Sequence, residues 1–286
     1  MKIARIAAAG VRSVVAFLIL AASSAAGAGV PTAPAAATAS PTSVAAPVEL
    51  TVYAAASLKD ALHEIGPACG PEAGATILFN FGGSNDLAQQ ILAANKADVF
   101  FSADEGWMDK VAAKGLVDAA SRRALLSNRL VIVVRADADL TIQGPGDLAG
   151  AKVKNLSIAN PDAVPAGRYA RAWLESIGAW EALKDKVAPA PDVRAALAAV
   201  EAGAAEAGIV YATDAAIARK TKVAYTVPEG DGPKISYPVA VLKDRPHVEA
   251  ARRLVACFGG DDARRVFVRD GFIVLDAAPA PAAPSK

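Results

Sequence analysis

Short runs of apolar residues alternate with segments of helical periodicity along most of this chain. Apolar runs at residues 48–56, 75–81 and 97–104 predict strands in the first half, and helical spacing follows each of them. Runs at residues 130–134 and 237–242 predict further strands. Strands that alternate with helices indicate an α/β protein with parallel sheets, in which ligands bind beyond the carboxyl ends of the strands.

Three helix starts follow one another within residues 157–218. Pro165 stands where a first helical residue would, Asp192 is a predicted N-cap, and the apolar strand that ends at Tyr211 breaks into a helix by Asp214. The first four N–H groups of a helix lack an intrahelical partner, and the helix dipole adds partial positive charge there. Converging helix starts therefore predict an anion site that needs no Lys or Arg.

Two earlier predicted strands end at a serine. Ser57 follows the first strand and is predicted as the N-cap of the next helix, where its hydroxyl and the following N–H groups face the strand's end. Ser84 follows Gly82 and Gly83, which allow a tight turn and a close approach to a ligand. A serine at such a place is more often only a cap or part of a turn, so neither motif alone specifies a site.

The N-terminal segment has the pattern of a secretory signal. Basic residues precede a short apolar stretch at residues 14–22, which is too short to span a bilayer, and Ala26-Gly27-Ala28 offers a cleavage site. We therefore expect a periplasmic protein. The predicted organisation is a signal peptide at 1–28, an Ala/Pro-rich disordered linker at 29–47, lobe I at 48–128 plus 234–276, lobe II at 129–233 with hinge segments at its ends, and a flexible tail at 277–286.

Composition excludes several classes of function. The chain has 30 basic and 29 acidic residues, so it has no excess of positive charge for nucleic acid. His63 and His247 are the only histidines and lie far apart, which leaves little for a His-based metal site or a Ser-His hydrolase. Cys69 and Cys257 lack metal-ligand spacing; in an oxidising compartment they either pair or remain two buried thiols, and both alternatives stay open.

Several segments, taken together and in order, carry a resemblance to a known family. They are 52–58 (VYAAASL), 97–104 (ADVFFSAD), 164–170 (VPAGRYA), 192–197 (DVRAAL) and 208–215 (GIVYATDA), with 237–241 and Gly271-Phe272 fitting as well. This combination resembles the periplasmic molybdate-binding proteins of ABC transporters over nearly all of the mature chain. The resemblance implies a two-lobed type II periplasmic binding protein fold, each lobe a mainly parallel sheet flanked by helices, joined by two crossing segments, with molybdate or tungstate held between the lobes.

The resemblance also implies which residues contact the oxyanion. These are Ser57 and Ser84 through hydroxyl and backbone N–H, Ala166 and Val193 through backbone N–H, and Tyr211 through its phenol. Molybdenum would be bound only as molybdate through these residues, without direct metal ligands, and no cofactor or catalytic residue is implied. The expected partner is the membrane permease of an ABC transporter, and we expect a monomer.

Two features beside these residues need their own interpretation. The family that this chain resembles often has a Ser-rich run where this chain has Gly82-Gly83, so Ser84 supplies the only hydroxyl at that turn. Arg168 and Arg194 lie beside the site in sequence and are interpreted as solvated helix residues.

Every assigned group donates a hydrogen bond and none must accept one, which suits a dianion without a proton. A protonated phosphate would leave its O–H unpaired among donors, at a cost of about 1–3 kcal/mol. Two alternatives remain: a binding protein for another oxyanion such as sulfate or for an organic anion, and an enzyme on the same fold acting on a small anionic substrate. The enzyme has little support, because no paired carboxylates or nucleophile-base pair accompany the helix starts, and Asp214 is more simply a cap.

Overall fold

The computed structural model describes residues 46–275. The predicted signal peptide and C-terminal tail lie outside the described residues, as does nearly all of the predicted linker at 29–47. Within residues 46–275, no helix is long and apolar enough to cross a membrane.

The first sheet in the described part of the chain has six strands, in the order β11-β4-β10-β3-β1-β2. They are β1 (Val48–Ala55), β2 (Ala75–Gly82), β3 (Val99–Phe101), β4 (Arg123–Ser127), β10 (Tyr237–Val241) and β11 (Ile273–Val274). Strands β1, β2 and β3 are parallel, whereas β10, β4 and β11 are added by antiparallel pairing. The register places Val48 of β1 opposite Ala75 of β2 and Val52 opposite Val99 of β3.

The second sheet of the same region has five strands, in the order β7-β6-β8-β5-β9. They are β5 (Leu130–Arg135), β6 (Leu156–Ala159), β7 (Val187–Ala190), β8 (Ala207–Tyr211) and β9 (Thr221–Thr226). Strands β6, β7 and β8 are parallel, and β5 pairs antiparallel with both β8 and β9. The α/β class with two sheets is confirmed, and both sheets are mixed where mainly parallel pairing was predicted.

Helices follow most of the strands and cover the sheets. Their bounds are α1 (Lys59–Ala73), α2 (Ser84–Ala94), α3 (Glu105–Ala113), α4 (Pro165–Ser176), α5 (Trp180–Leu183), α6 (Val193–Glu201), α7 (Ala212–Ile217), α8 (Val248–Phe258) and α9 (Asp261–Arg269). Helices α1, α8 and α9 pack together beside the first sheet, while α4 and α6 pack on β6 and β8 of the second. The chain passes from the first sheet to the second between Ser127 and Leu130, and returns between Thr226 and Tyr237.

The three predicted helix starts within residues 157–218 are confirmed, since α7 also begins directly after β8 ends at Tyr211, whereas the predicted start at Ser57 differs. Pro165 is the first residue of α4, and the Asp192 carboxylate caps α6 by accepting from the N–H of Ala195 at 2.9 Å. The prediction that Ser57 is an N-cap is wrong: Ser57 is the middle residue of a 3₁₀ turn, Ala56–Leu58, that precedes α1 and has Ala55 as its N-cap. The turn removes the Ser57 hydroxyl from the capping position and frees it for other partners.

Cys69 and Cys257 form a disulfide that joins α1 to α8. The Cα atoms are 5.7 Å apart, within the range that a disulfide spans without moving the backbone. The bond connects positions 188 residues apart and so closes almost the whole described chain into one loop. Of the two alternatives that the sequence left open, a disulfide or two buried thiols, the structure shows the disulfide.

Reduction of this bond is expected to lower the free energy of unfolding by about 2–4 kcal/mol, because an unfolded chain without the cross-link gains conformational entropy. Urea denaturation with and without reductant measures the loss. The double variant Cys69→Ala/Cys257→Ala serves as the control, since reductant should leave its transition unchanged. A wild-type transition that does not respond to reductant would contradict the prediction.

Candidate functional site

A small cavity lies between the two sheets, at the carboxyl ends of their parallel strands. Its volume is about 10 Å³, room for a group about the size of one water molecule, whereas pockets for organic ligands are typically about 300–1,000 Å³. The residues that line it are Ala55, Ala56, Ser57, Gly82, Gly83, Ser84, Ala103, Val164, Pro165, Ala166, Asp192, Val193 and Tyr211. The structure thus brings together all five residues predicted to contact the oxyanion, and their role as ligand contacts stays a prediction.

The first sheet contributes two buried serine hydroxyls to the cavity. Ser57 follows the end of β1, and Ser84 is the first residue of α2. The Ser84 oxygen accepts the backbone N–H of Ala103 at 3.0 Å. Because that bond occupies an acceptor position of Ser84, its own proton is free to point towards the cavity.

The second sheet contributes two helix N-termini. Ala166 is the second residue of α4, after Pro165, and Val193 is the first residue of α6. At these positions the backbone N–H has no intrahelical carbonyl to bind. Among the described residues that line the cavity, none is Lys or Arg, so the positive character here comes from peptide groups and helix dipoles.

Tyr211 places a phenol in the same cavity. Its side chain is 1% exposed, and its hydroxyl has no hydrogen-bond partner among the described residues. Burial raises the pKa of the phenol well above its usual value, so the hydroxyl keeps its proton and remains a donor. A buried hydroxyl without a partner costs about 1–3 kcal/mol, and a ligand oxygen in the cavity would relieve that cost.

Two contacts join the lobes next to the cavity. Trp107 of α3 donates its indole N–H to the carbonyl of Ala163 at 2.8 Å, and Arg168 Nη1 of α4 contacts Asp104 Oδ2 at 2.6 Å. The Asp104 side chain is only 7% exposed, so burial raises the pKa of its carboxyl, against the opposing effect of the Trp107 N–H and of the Arg168 charge. The lobes therefore lie together in this structure.

Arg194 forms a second connection across the cleft. Its Nη2 lies 2.8 Å from Asp60 Oδ2 of α1 and donates to the carbonyl of Ser57 at 3.3 Å, while its Nε lies 2.5 Å from Asp214 Oδ1. The interpretation of Arg194 as a solvated helix residue is wrong, because its side chain is only 22% exposed and pairs with the fully buried Asp214. Arg168 is exposed as predicted, although it also pairs with the buried Asp104 of the other lobe. Their partners are far away in sequence, so helical spacing gave no signal for these contacts.

Asp214 is a buried carboxyl in the first turn of α7, with a fully buried side chain. Burial raises its pKa to about 6, against the opposing effects of Arg194 and of the Tyr211 backbone N–H. The N-cap of α7 is Tyr211 and no side-chain hydrogen bond caps this helix, so the predicted capping role of Asp214 is not confirmed.

Two polar residues behind the cavity were not singled out from the sequence. Tyr237 lies at the start of β10, where its hydroxyl is 3.2 Å from Ser57 Oγ, and Asn128 donates to the same hydroxyl at 3.2 Å. Both are buried. In the sequence Tyr237 begins an apolar strand within the segment 237–241 that fits the family, and Asn128 lies at the crossing between lobes, but neither position indicates a polar contact with Ser57.

Gly83 has a specific reason to lack a side chain. A Cβ at this position would lie 2.5 Å from Asn85 Oδ1 and 3.0 Å from the carbonyl oxygen of Pro191, which belongs to the other lobe. The glycine thus lets the loop before α6 approach α2 closely. Gly83 therefore lies at a point where the two lobes meet.

Gly83→Ala is expected to weaken anion binding about tenfold, because the added methyl group opposes closure of the lobes, and overpacking of this kind typically costs about 1–3 kcal/mol. Isothermal titration calorimetry measures the loss. Gly82→Ala is the matched variant, since a Cβ there meets only the Leu87 side chain at 3.7 Å and should cost clearly less affinity. Equal affinities for Gly83→Ala and the wild type would show that the contact does not limit closure.

The described residues offer no conventional metal site. Within residues 46–275 no three His, Cys, Asp or Glu side chains lie close enough together to hold a metal ion. The donor set of the cavity consists instead of hydroxyls and peptide N–H groups, which bind anions.

Comparison with known proteins adds independent information. The family model for bacterial extracellular solute-binding proteins matches residues 50–273. The chain is 39% identical to the molybdate-binding protein ModA of Escherichia coli over 233 residues, 79% of this chain and 89% of that protein. It is 33% identical to the Haemophilus influenzae molybdate-binding protein ModA over 234 residues, 80% of this chain and 92% of that protein. The structure of the periplasmic molybdate-binding protein of Azotobacter vinelandii superimposes on this one with a TM-score of 0.71 at 22% sequence identity. The superposition covers 79% of this chain and 100% of the Azotobacter chain, and it supports the type II periplasmic binding protein fold.

Proposed function

Since this chain belongs to the family of bacterial extracellular solute-binding proteins, we propose that it captures molybdate or tungstate between its two lobes and delivers the anion to the permease of an ABC transporter. The family consists of binding proteins, so no catalytic step is assigned. The oxyanion is the transported ligand and not a cofactor.

One observation carries this proposal: hydrogen-bond donors from both lobes converge on one small cavity. The Tyr211 hydroxyl has no partner, and the N–H groups of Ala166 and Val193 stand at helix N-termini. Ser57 and Ser84 add two hydroxyls from the opposite lobe. A tetrahedral dianion offers four oxygens that accept hydrogen bonds and no proton that needs an acceptor, so it matches this donor set.

The energetics permit tight binding without a salt bridge. A hydrogen bond to a charged group contributes about 1.5–3 kcal/mol, and at least five donors converge on this cavity. At the favourable end of both ranges five such bonds contribute about 15 kcal/mol against an association cost of about 4 kcal/mol, and the difference exceeds the about 8.2 kcal/mol of a micromolar dissociation constant. The neutral donors replace the hydration shell of the anion, and the absence of Lys and Arg from the described cavity lining does not prevent binding.

Closure follows from the division of the site between lobes. We propose lobe I at 48–128 plus 234–276 and lobe II at 129–233, with hinges at the two crossings between the sheets. Each lobe supplies only part of the donor set, so the anion binds the closed form better than the open one and shifts the equilibrium towards it. In this proposal the protein works as a monomer in the periplasm, to which a signal peptide at residues 1–28 directs its export.

Calorimetry on the mature chain tests the proposal. Molybdate and tungstate are expected to bind with micromolar or lower dissociation constants and to raise the melting temperature, because a ligand that binds only the folded state stabilises it. Sulfate is titrated alone and in competition with molybdate, and it is expected to compete poorly. Tighter binding of sulfate than of molybdate would assign the protein to the sulfate alternative, and no response to any tetrahedral dianion would refute the proposed site.

A further inference from the structure

A buried chain of hydrogen bonds runs from the crossing between the lobes to the cavity. Asn128 Nδ2 lies 3.2 Å from the Tyr237 hydroxyl, which in turn lies 3.2 Å from Ser57 Oγ. All three residues are at most 5% exposed. Ser57 lines the cavity, while Tyr237 and Asn128 lie behind it and do not contact the cavity space.

The orientation of the Asn128 amide is fixed at its other end. The backbone N–H of Arg129 donates to Asn128 Oδ1 at 2.8 Å, so the oxygen faces the backbone and the NH₂ group faces Tyr237. The second proton of that NH₂ group is donated to Thr213 Oγ1 at 2.9 Å. A rotated amide would place its NH₂ group against the Arg129 N–H, with two donors facing each other, which fixes Asn128 as the donor to Tyr237.

This orientation determines the direction of the next bond. The Tyr237 oxygen accepts from Asn128, and burial raises the pKa of the phenol above its usual range, so the hydroxyl keeps its proton. Ser57 Oγ is the other hydrogen-bond partner of Tyr237 among the described residues. If Ser57 donated to Tyr237, the buried phenol proton would have no acceptor, at a cost of about 1–3 kcal/mol.

We propose that Asn128 and Tyr237 are positioning residues that make Ser57 a hydrogen-bond donor to the cavity, so that the site discriminates against tetrahedral anions that carry a proton. The inference rests on the proposed anion-binding function and explains how its ligand class is restricted. The Ser84 hydroxyl has the same orientation, since its oxygen accepts a hydrogen bond from the backbone N–H of Ala103. Both serines therefore have an acceptor position occupied from the protein side and present their protons to the ligand.

The consequence for ligands is a difference between two anions of equal charge. At about pH 8 molybdate and inorganic phosphate are both dianions, but phosphate still carries one proton. At the two serines the phosphate O–H meets a donor where it needs an acceptor, and a polar group left unpaired in this way costs binding free energy. Molybdate has no such proton and can accept from every donor.

Asn128→Asp reverses the direction of the hydrogen bonds between residue 128, Tyr237 and Ser57, while the new side chain has nearly the same shape as asparagine. The new carboxylate still accepts from Arg129 N–H, and it accepts from Tyr237 and Thr213 where the amide donated. Tyr237 then offers its oxygen to Ser57, so the Ser57 proton is drawn away from the cavity and a lone pair faces the ligand. The ratio of the phosphate to the molybdate dissociation constant is expected to fall at least about tenfold, the change that loss of one hydrogen bond to a charged group produces.

The ratio of the two dissociation constants distinguishes a change in the orientation of the Ser57 hydroxyl from a general loss of folding or of anion binding. The added negative charge of Asn128→Asp repels both dianions equally and cancels in the ratio, as does any general loosening of the fold. Tyr237→Phe, which removes the donor to Ser57 without adding charge, should lower the ratio in the same direction. Thr213→Val is the matched control, because it deletes a partner of Asn128 while leaving the bond to Tyr237, and its ratio should stay within about twofold of wild type.

Competition calorimetry with molybdate and inorganic phosphate at about pH 8, with thermal melting to show that each variant is folded, decides the question. A ratio that falls in Asn128→Asp and Tyr237→Phe but not in Thr213→Val supports the proposal. Parallel loss of affinity for both anions, with an unchanged ratio, overturns it and leaves the proposed function intact. A wild-type protein that binds no tetrahedral dianion overturns both.

Discussion

Val193→Pro is expected to weaken molybdate binding at least about a hundredfold while leaving α6 in place. Val193 is the first residue of that helix, a position where proline is favoured because its missing N–H has no intrahelical partner. The preceding residue, Asp192, already has the extended backbone that a following proline requires. The substitution therefore removes one of the proposed donors and places a ring carbon where its proton pointed.

The expected magnitude follows from two effects at one atom. Loss of a hydrogen bond to a charged group costs about 1.5–3 kcal/mol, and the ring carbon also excludes the ligand oxygen from that place. A hundredfold change corresponds to about 2.7 kcal/mol, which lies within this range. Calorimetric titration with molybdate measures the affinity, and far-ultraviolet circular dichroism checks that the helix content is retained.

Asp261→Pro is the matched control for this variant. Asp261 is also the first residue of a helix, α9, and follows Gly260, whose backbone is likewise extended. It does not line the cavity. Its affinity for molybdate should equal that of the wild type. If Val193→Pro also binds molybdate with unchanged affinity, the helix N-terminus of α6 does not contact the anion and the proposed ligand set is wrong.

The helix starts around the cavity could be predicted from sequence because their signals are local. Proline as the first residue of α4 and aspartate before α6 each specify a helix N-terminus within a few positions. The antiparallel strands that make both sheets mixed were not predicted. An apolar run such as Tyr237–Val241 indicates a buried strand but does not reveal its direction relative to its neighbours.

The polar contacts that hold the site could not be predicted, because they join residues that are far apart in the chain. Tyr237 and Ser57 are 180 positions apart, and Asn128 and Tyr237 are 109 apart. Arg194 reaches 137 positions back to Ser57. Such contacts depend on how the two lobes pack, and a single sequence contains periodicity and capping signals but no record of these distances.

Arg194→Met is expected to produce the largest loss of stability among the variants considered. The Asp214 carboxyl is fully buried, and the side chain of Arg194, itself only 22% exposed, supplies its charge partner at 2.5 Å. Removal of one member of a buried ion pair leaves an uncompensated charge and typically costs about 3–5 kcal/mol. We expect a loss of this size in the free energy of unfolding at about pH 8, measured by urea denaturation.

The loss should depend on pH in a defined direction. Burial already raises the pKa of Asp214 to about 6, above the usual value of 3.8, so the folded protein binds more protons than the unfolded chain between these values. Stability contributed by this group therefore falls as pH rises through that window. Without Arg194, which lowers the pKa, the carboxyl titrates at higher pH and the loss continues above pH 6. At about pH 5 the protonated carboxyl needs no partner, and the difference from wild type should be much smaller.

Two further variants separate the buried pair from general effects of removing an arginine. Arg171→Met deletes contacts to Asp162 and Glu175 on the exposed face of α4, and exposed pairs of this kind contribute less than about 1 kcal/mol. The double variant Arg194→Met/Asp214→Asn removes both charges and should recover much of the stability at about pH 8, because no buried charge remains. The loss of stability of Arg194→Met relative to wild type is measured at each pH. If this loss is no larger at about pH 8 than at about pH 5, the Asp214 carboxyl is not the group that Arg194 stabilises. Since Arg194 also contacts Asp60 and the Ser57 carbonyl in the other lobe, its loss should in addition weaken closure around the anion.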